Sequence, residues 1–177
     1  MLCKRWFGLL VLACSAAWAP CARADTPYTV DFKGIGEAPV EDALRNASQL
    51  VALQDRPPPS PAALRRRADD DLPRLQDVMH AQGYWASKIA YRLDTNQSPA
   101  TVTVTVTPGP AFRFRDIRFV LPSGAPAPLL ARDGAASVGL PPGGVALSAA
   151  VEAANAQIVA LYERDGYPFA KIADRRA

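Results

Sequence analysis

Few side chains in this sequence of 177 residues could do chemistry. His80 is the only histidine, and it lies on a predicted helix without a cysteine or a clear carboxylate partner. A lone histidine in that setting is far more often a packing or surface residue than a general acid or base. The sequence contains no glycine-rich phosphate loop and no G-x-S-x-G element. These observations predict that the chain is not an enzyme.

Three consecutive aspartates, Asp69, Asp70 and Asp71, are the other candidate for a metal or catalytic site. Adjacent positions of a helix point in different directions, so these carboxylates do not converge on one ion without ligands from elsewhere. Residues 65–67 are arginines that stand four residues earlier, which favours exposed ion pairs along the helix. We therefore predict no catalytic residue, no metal site and no cofactor.

The first 24 residues have the layout of a Sec signal peptide. Lys4 and Arg5 precede an apolar run over residues 6–19, which is shorter than the about 20 residues that a membrane-spanning helix needs. Ala-Arg-Ala at residues 22–24 supplies the small side chains expected before a cleavage site. Cleavage there would leave Asp25 at the mature N-terminus of a secreted chain.

Two other interpretations of this leader are a lipoprotein signal, lipidated at Cys14, and an uncleaved membrane anchor. All three cysteines, Cys3, Cys14 and Cys21, lie before the cleavage site, so the mature chain has no disulfide and no cysteine metal site. The leader also carries three of the 20 basic residues, which leaves 17 against the 17 acidic residues. A balanced mature chain gives no indication of nucleic-acid binding.

The mature chain contains an internal repeat at a fixed offset. Residues 75–89 and 158–172 share an apolar helical stripe, then Gly-Tyr, then an extended run. A glycine just past a helix can adopt the left-handed conformation that closes the helix, and the next residue packs back on the last turn. Each copy therefore predicts a glycine-closed helix that leads into a strand. The two pairs are Gly83 with Tyr84 and Gly166 with Tyr167.

The residues around the first copy predict a β-α-α-β-β unit over residues 25–110. Alternating apolar and polar side chains mark a strand at 28–32, and helical spacing marks a helix between residues 40 and 51. A second helix is expected to begin with Ser60 as its N-cap and a proline at its first position. Pro73 is expected to bend this helix or to mark a new start.

Two further strands complete the first unit. Residues 88–93 alternate in character, and residues 101–107 place valine on one face and threonine on the other. We expect both helices to cover the valine face of a small mixed sheet. Hairpin pairing makes the valine–threonine strand central. It leaves the strand at 88–93 at an edge, with backbone N–H and C=O groups free to pair.

The second unit, residues 111–177, is expected to repeat this order and to lack its third strand, because the chain stops before a partner for its last strand. We expect that last strand to be frayed. The alternation over the first predicted strand slips by one residue, which indicates a bulge. The predicted elements are strands at 112–121 and 169–172 and helices at 129–135 and 148–165.

A β-α-α-β-β unit with Gly-Tyr between its second helix and second strand resembles a POTRA domain of outer-membrane assembly proteins. The valine–threonine strand, then Pro-Gly-Pro, then Phe-Arg-Phe-Arg is similar to the junction between successive POTRA repeats. The resemblance covers the mature chain and is to the TamA-like branch, which is related to BamA. It implies an α+β fold of tandem POTRA-like modules, the second truncated. Such family members have a third repeat and a membrane barrel, which this sequence lacks.

The resemblance implies a periplasmic scaffold that family members attach to the outer membrane through their barrel. Its implied partners are unfolded outer-membrane proteins or autotransporters, and further an inner-membrane-anchored, TamB-like protein, but not nucleic acid. Strand addition at the open sheet edge is the expected mode of binding. The residues of that edge are Lys88, Ile89, Ala90, Tyr91, Arg92 and Leu93.

Several alternatives stay open at this point. Lys88 and Arg92 either flank an incoming strand or protect the edge against aggregation. The order of elements also fits a two-partner secretion transporter or an FtsQ-like cell-division protein, which use POTRA-like units. It fits as well a ligand- or cell-wall-binding module of unrelated ancestry, or a non-functional truncated product.

Overall fold

The computed structural model describes residues 25–121 and 134–176. The predicted signal peptide and most of the helix predicted at 129–135 lie outside these residues. The described part is α+β, with one small mixed sheet and four α-helices. None of the helices in the described ranges is long and apolar enough to cross a membrane.

The sheet has three strands, β1 (Tyr28–Lys33), β2 (Lys88–Asp94) and β3 (Ala100–Thr107), in the order β1-β3-β2. β3 pairs in parallel with β1 and antiparallel with β2. The prediction that the valine–threonine strand is central and that the strand before it lies at an edge is therefore confirmed.

The alternation along β3 decides how the sheet is covered. Val102, Val104 and Val106 are buried, whereas the threonines between them lie on the opposite, more open face. Full burial of a side chain of this size stabilises the fold by about 1.5–3 kcal/mol. A shift of one residue in register would expose all three valines, so this pattern allows one register.

Three helices cover the valine face: α1 (Ala38–Ala47), α2 (Gln49–Ala52) and α3 (Pro61–Ala81). The first unit thus has the predicted β-α-α-β-β order, with α2 as a one-turn continuation of α1. The helices contribute the buried side chains Val40, Leu44, Leu50, Leu64, Ala68, Leu75 and Met79.

Two serine caps set the ends of these helices. Ser48 separates α1 from α2, and its hydroxyl accepts a hydrogen bond from the amide of Val51 at 3.3 Å. The Ser60 hydroxyl accepts one from the amide of Ala63 at 3.2 Å, which confirms the predicted N-cap of α3.

α3 continues through Pro73, so the prediction of a new helix start at this proline is wrong. Buried side chains on both sides of the proline hold one helix on the sheet.

Asp71 is fully buried in α3, which corrects the prediction that it forms an exposed ion pair. Its carboxylate accepts hydrogen bonds from the Ser48 hydroxyl at 2.7 Å and from the amides of Gln49 and Leu50 at 3.0 and 3.2 Å. The guanidinium of Arg74 lies 3.0 Å from the same carboxylate. Asp71 therefore caps α2 from a neighbouring helix and joins the parts of the helical layer.

Arg67 also departs from the predicted ion pairing. Its guanidinium donates to the Tyr28 hydroxyl at 3.1 Å and to the backbone carbonyls of Leu53 and Arg56 at 3.3 and 3.1 Å. It therefore fastens the turn after α2 to the first strand, because three acceptors from distant segments converge on one guanidinium.

The second unit has a small core of its own around α4 (Ser148–Arg164). A 3-10 helix, Gly134–Val138, contributes Val138, which packs in one cluster with Ala154 and Ile158. α4 is the long helix predicted for this unit, so that prediction is confirmed.

The strands predicted for the second unit are wrong. Residues 112–121 make only an isolated bridge, between Arg113 and Val145, and residues 169–172 are irregular. A strand is stable only against neighbouring strands and a covering layer. Within the described part of this unit neither segment has a strand to pair with, so the alternating pattern yields no sheet and no bulge.

Gly34 allows the chain to leave β1 close to β3. Its φ is +85°, and a Cβ atom there would overlap the carbonyl oxygen of Val106. We expect Gly34→Ala to lower the free energy of unfolding by at least about 2 kcal/mol, because left-handed strain adds to this clash.

Gly36→Ala is the matched control for this substitution, because the space around Gly36 is open. It should change the free energy of unfolding by no more than about 0.5 kcal/mol. Urea denaturation followed by circular dichroism measures both variants. Equal stability of the two would refute the close approach at Gly34.

The buried carboxylate of Asp71 gives a second prediction. Asp71→Ala leaves the Ser48 hydroxyl and two backbone amides without their acceptor, so we expect a loss of about 3 kcal/mol in the free energy of unfolding. Asp70→Ala is the control, since Asp70 is exposed beside it on α3. Thermal and urea denaturation compare the two variants, and a similar small loss in both would contradict the role of Asp71.

Candidate functional site

The candidate site begins at the turn that ends α3. Gly83 is left-handed, with φ +86°, and its amide donates to the carbonyl of His80 at 2.9 Å. The amide of Tyr84 donates to the carbonyl of Met79, also at 2.9 Å. This pair of bonds is the Schellman motif, in which a glycine closes a helix and redirects the chain.

The second copy of the repeat ends α4 with the same geometry. Gly166 has φ +96°, and its amide donates to the carbonyl of Glu163 at 3.2 Å. The amide of Tyr167 donates to the carbonyl of Tyr162 at 3.0 Å, and the two tyrosine rings pack edge to face with centroids 6.2 Å apart. The repeated sequence therefore produces the same helix end twice.

After each motif tyrosine the chain makes one further matching turn. The amide of Ser87 donates to the carbonyl of Tyr84 at 3.2 Å. In the second copy the amide of Ala170 donates to the carbonyl of Tyr167 at 3.0 Å. The copies then diverge, because Lys88 begins β2 whereas Lys171 begins no strand. Pairing with β3, and not the local sequence, makes β2 a strand.

β2 lies at an edge of the sheet, and β3 is its only strand partner in the part of the chain that the structure describes. Its side chains divide between the two faces of the sheet. Three are exposed on the threonine face: Lys88, Ala90 and Arg92. The three that alternate with them are half-buried and pack against the core: Ile89, Tyr91 and Leu93.

Tyr91 ties the middle of β2 to α3. Its hydroxyl donates to the carboxylate of Asp69 at 2.6 Å. Burial raises the pKa of Tyr91, and the hydrogen bond and negative charge of Asp69 raise it further, against the lowering effect of Arg65. The sequence pattern predicts an exposed ion pair for Asp69 and gives no sign of this contact, since the two residues are 22 positions apart.

Tyr84 joins the end of α3 to the residue that precedes α1. Its hydroxyl donates to the carboxylate of Glu37 at 2.9 Å. This hydrogen bond raises the pKa of Tyr84, and burial and the charge of Glu37 raise it further. The motif tyrosine therefore contributes a long-range contact as well as the local helix end.

His80 supports the loop before β2. Its ring stacks on that of Trp85, with centroids 4.6 Å apart, and its Nε2 lies 2.9 Å from the side-chain nitrogen of Gln76. Gln76 also donates to the Ser87 hydroxyl at 2.8 Å. Among residues 25–121 and 134–176, no group of three or more His, Cys, Asp or Glu side chains could hold a metal ion.

The second unit packs against this same loop. The amide of Phe112 donates to the carbonyl of Gly83 at 2.8 Å, and the amide of Ala146 donates to the carbonyl of Phe112 at 2.9 Å. A Cβ atom at Gly83 would lie 3.0 Å from Cγ1 of Val145, so the absence of a side chain also allows this approach.

The chain was also compared with known proteins. No family model and no curated protein matches it. The geometry of β2 and the resemblance of the repeat are therefore the observations that bear on function.

Tyr84 and Tyr91 predict a loss of stability at alkaline pH. A tyrosine whose pKa is raised on folding stabilises the fold fully below the unfolded pKa, and this contribution is lost as pH rises through the folded pKa. Both values lie above the ordinary 10.0. The free energy of unfolding should fall more steeply above pH 10.0 in the wild type than in the Tyr84→Phe/Tyr91→Phe variant. Urea denaturation across this range compares the two slopes, and parallel slopes would contradict the two hydrogen bonds.

Proposed function

We propose that this chain is a periplasmic, POTRA-like scaffold that binds extended partner chains by strand addition at β2, and that it is not an enzyme. The observation that carries this proposal is the edge position of β2, which pairs with β3 on one side only among the described residues. Backbone N–H and C=O groups along such an edge are a template for an incoming strand.

An added strand would meet two different surfaces beside β2. On the helix side the half-buried Ile89, Tyr91 and Leu93 can be covered by apolar side chains, which would extend the core. On the threonine face Ala90 is small and leaves space for a larger neighbour. Main-chain hydrogen bonds would supply affinity, and the alternating side chains would supply specificity.

β1 is the other edge of the sheet, and it suits a partner less well. The amide of Thr26, just before β1, donates to the carbonyl of Pro58 at 2.8 Å, so the loop before α3 lies beside the start of this strand. β2 has no such loop contact among the backbone hydrogen bonds of the described residues. This difference favours β2 as the binding edge.

The proposed partners are unfolded outer-membrane proteins or autotransporters, and an inner-membrane-anchored, TamB-like protein is a further one. Nucleic acid is not a proposed ligand, since the mature chain has balanced charge. The signal peptide predicted for residues 1–24 would deliver the chain to the periplasm. In family members of this kind the barrel provides attachment to the outer membrane.

Proline substitution along β2 tests strand addition. Successive N–H groups of an antiparallel edge strand point alternately toward the neighbouring strand and outward. Of the two substitutions Ala90→Pro and Tyr91→Pro, one therefore removes an N–H group that faces β3, and the other removes an N–H group that faces outward. The substitution that removes the outward donor should abolish crosslinking of β2 to an unfolded outer-membrane protein. The other should lower the free energy of unfolding by about 1–3 kcal/mol, because a carbonyl of β3 loses its donor.

Tyr91→Ala is the control for this experiment, because it removes the side chain and its bond to Asp69 while keeping the backbone donor. Crosslinking through a photoreactive residue in β2 is compared among variants that circular dichroism shows to be folded. Wild-type crosslinking in both folded proline variants would overturn the proposal.

A further inference from the structure

Lys88 and Arg92 are the two cationic side chains of β2. Both are exposed, and they lie on the threonine face, opposite Thr107 and Thr103 of β3. Neither forms an ion pair with any residue in the described ranges. Two positive charges, four residues apart, are therefore exposed along the open edge of the sheet.

Three other charged strand residues lie on this face: Asp31, Lys33 and Asp94. Lys33 lies 3.6 Å from Asp31 on β1, at the opposite edge. The carboxylate of Asp94, at the end of β2, accepts hydrogen bonds from the amide and the side-chain nitrogen of Asn96 at 3.0 and 2.9 Å. Because Asn96 is neutral, Asp94 keeps its negative charge, so β2 carries two cations and one anion on this face. The face therefore has a net positive charge along β2, whereas Asp31 and Lys33 balance each other on β1.

The spacing of these two cations defines a pattern in the partner. Side chains four residues apart in a strand lie on the same face, about 13 Å from each other. A strand added to β2, in either direction, places two of its own residues beside Lys88 and Arg92, also four positions apart. Opposite charges in such cross-strand pairs are favourable and like charges are unfavourable.

We infer that the occupant of this edge is an extended segment that alternates apolar and polar residues and carries acidic side chains four positions apart on its polar face. This inference depends on the proposed function and adds to it the chemical class of the bound segment. The apolar side chains cover the half-buried row of β2, and the two carboxylates pair with Lys88 and Arg92. The polar residue between the carboxylates lies beside Ala90, which leaves it room.

Protection of the edge is the competing explanation of these two charges. Charged side chains oppose self-pairing of edge strands whatever the sign of a partner. On that explanation, neutralising Lys88 and Arg92 raises self-association and leaves no preference between acidic and basic segments. The inference instead requires a preference that follows the sign of the charge at these two positions.

The experiment uses the full chain and three synthetic peptides that alternate valine with polar residues. The peptides differ only at the two facing positions, which are both Glu, both Gln or both Lys. We expect the Glu peptide to bind about threefold to tenfold more tightly than the Gln peptide, and the Lys peptide to bind most weakly. Added salt should reduce these differences, because the pairs are exposed.

Charge reversal in the protein completes the test. The Lys88→Glu/Arg92→Glu variant should reverse the order and bind the Lys peptide most tightly. Lys33→Glu is the matched control, since it reverses a charge on the same face at the other edge, and it should keep the wild-type order. Circular dichroism checks that each variant is folded.

The outcomes separate the inference from the proposed function. Equal binding of the three peptides to the wild type and to both variants would overturn the inference and leave strand addition standing. Absence of binding by every peptide, or binding that survives both proline substitutions in β2, would overturn the proposed function together with the inference.

Discussion

Asp71 places a fully buried carboxylate between α3 and the turn that joins α1 to α2. A buried ion is tolerated only where hydrogen bonds and a counter-charge surround it, and here Ser48, two backbone amides and Arg74 supply them. The two parts of the helical layer therefore cannot slide past each other without exposing this charge to an apolar interior. With the helical layer held in place, the valines of β3 pack against one arrangement of helical side chains. Tyr91 of β2 also hydrogen-bonds to Asp69 of α3.

The features that could be predicted from the sequence are those with a short-range cause. The strict alternation of residues 101–107 permits one face and one register. The glycine closures of α3 and α4 depend on bonds within a single turn. The role of Asp71 could not be predicted, because the three groups that donate hydrogen bonds to its carboxylate lie 21 to 23 residues away in the sequence. The local pattern, arginines four residues before aspartates on a helix, instead favours exposed ion pairs. For the same reason the contact of Asp69 with Tyr91 was missed.

The two copies of the repeat act as an internal comparison of local and long-range effects. Both form the same helix end and the same following turn, yet only the copy that reaches β3 continues as a strand. The edge position of β2 and the division of its side chains between two faces follow from alternation and hairpin pairing. The charge of the edge does not, because whether Lys33, Lys88 or Arg92 finds a counter-charge depends on where the neighbouring strands lie.

Gly83 is a point of contact between the two units. Its carbonyl holds the amide of Phe112, and Val145 approaches the place where a side chain would stand. The same residue starts the loop that leads into β2, with Tyr84 anchored to Glu37. A displacement of Phe112 would therefore act directly on the backbone that leads into β2. One residue without a side chain thus joins three parts of the chain: the end of α3, the loop into β2 and the first residues of the second unit.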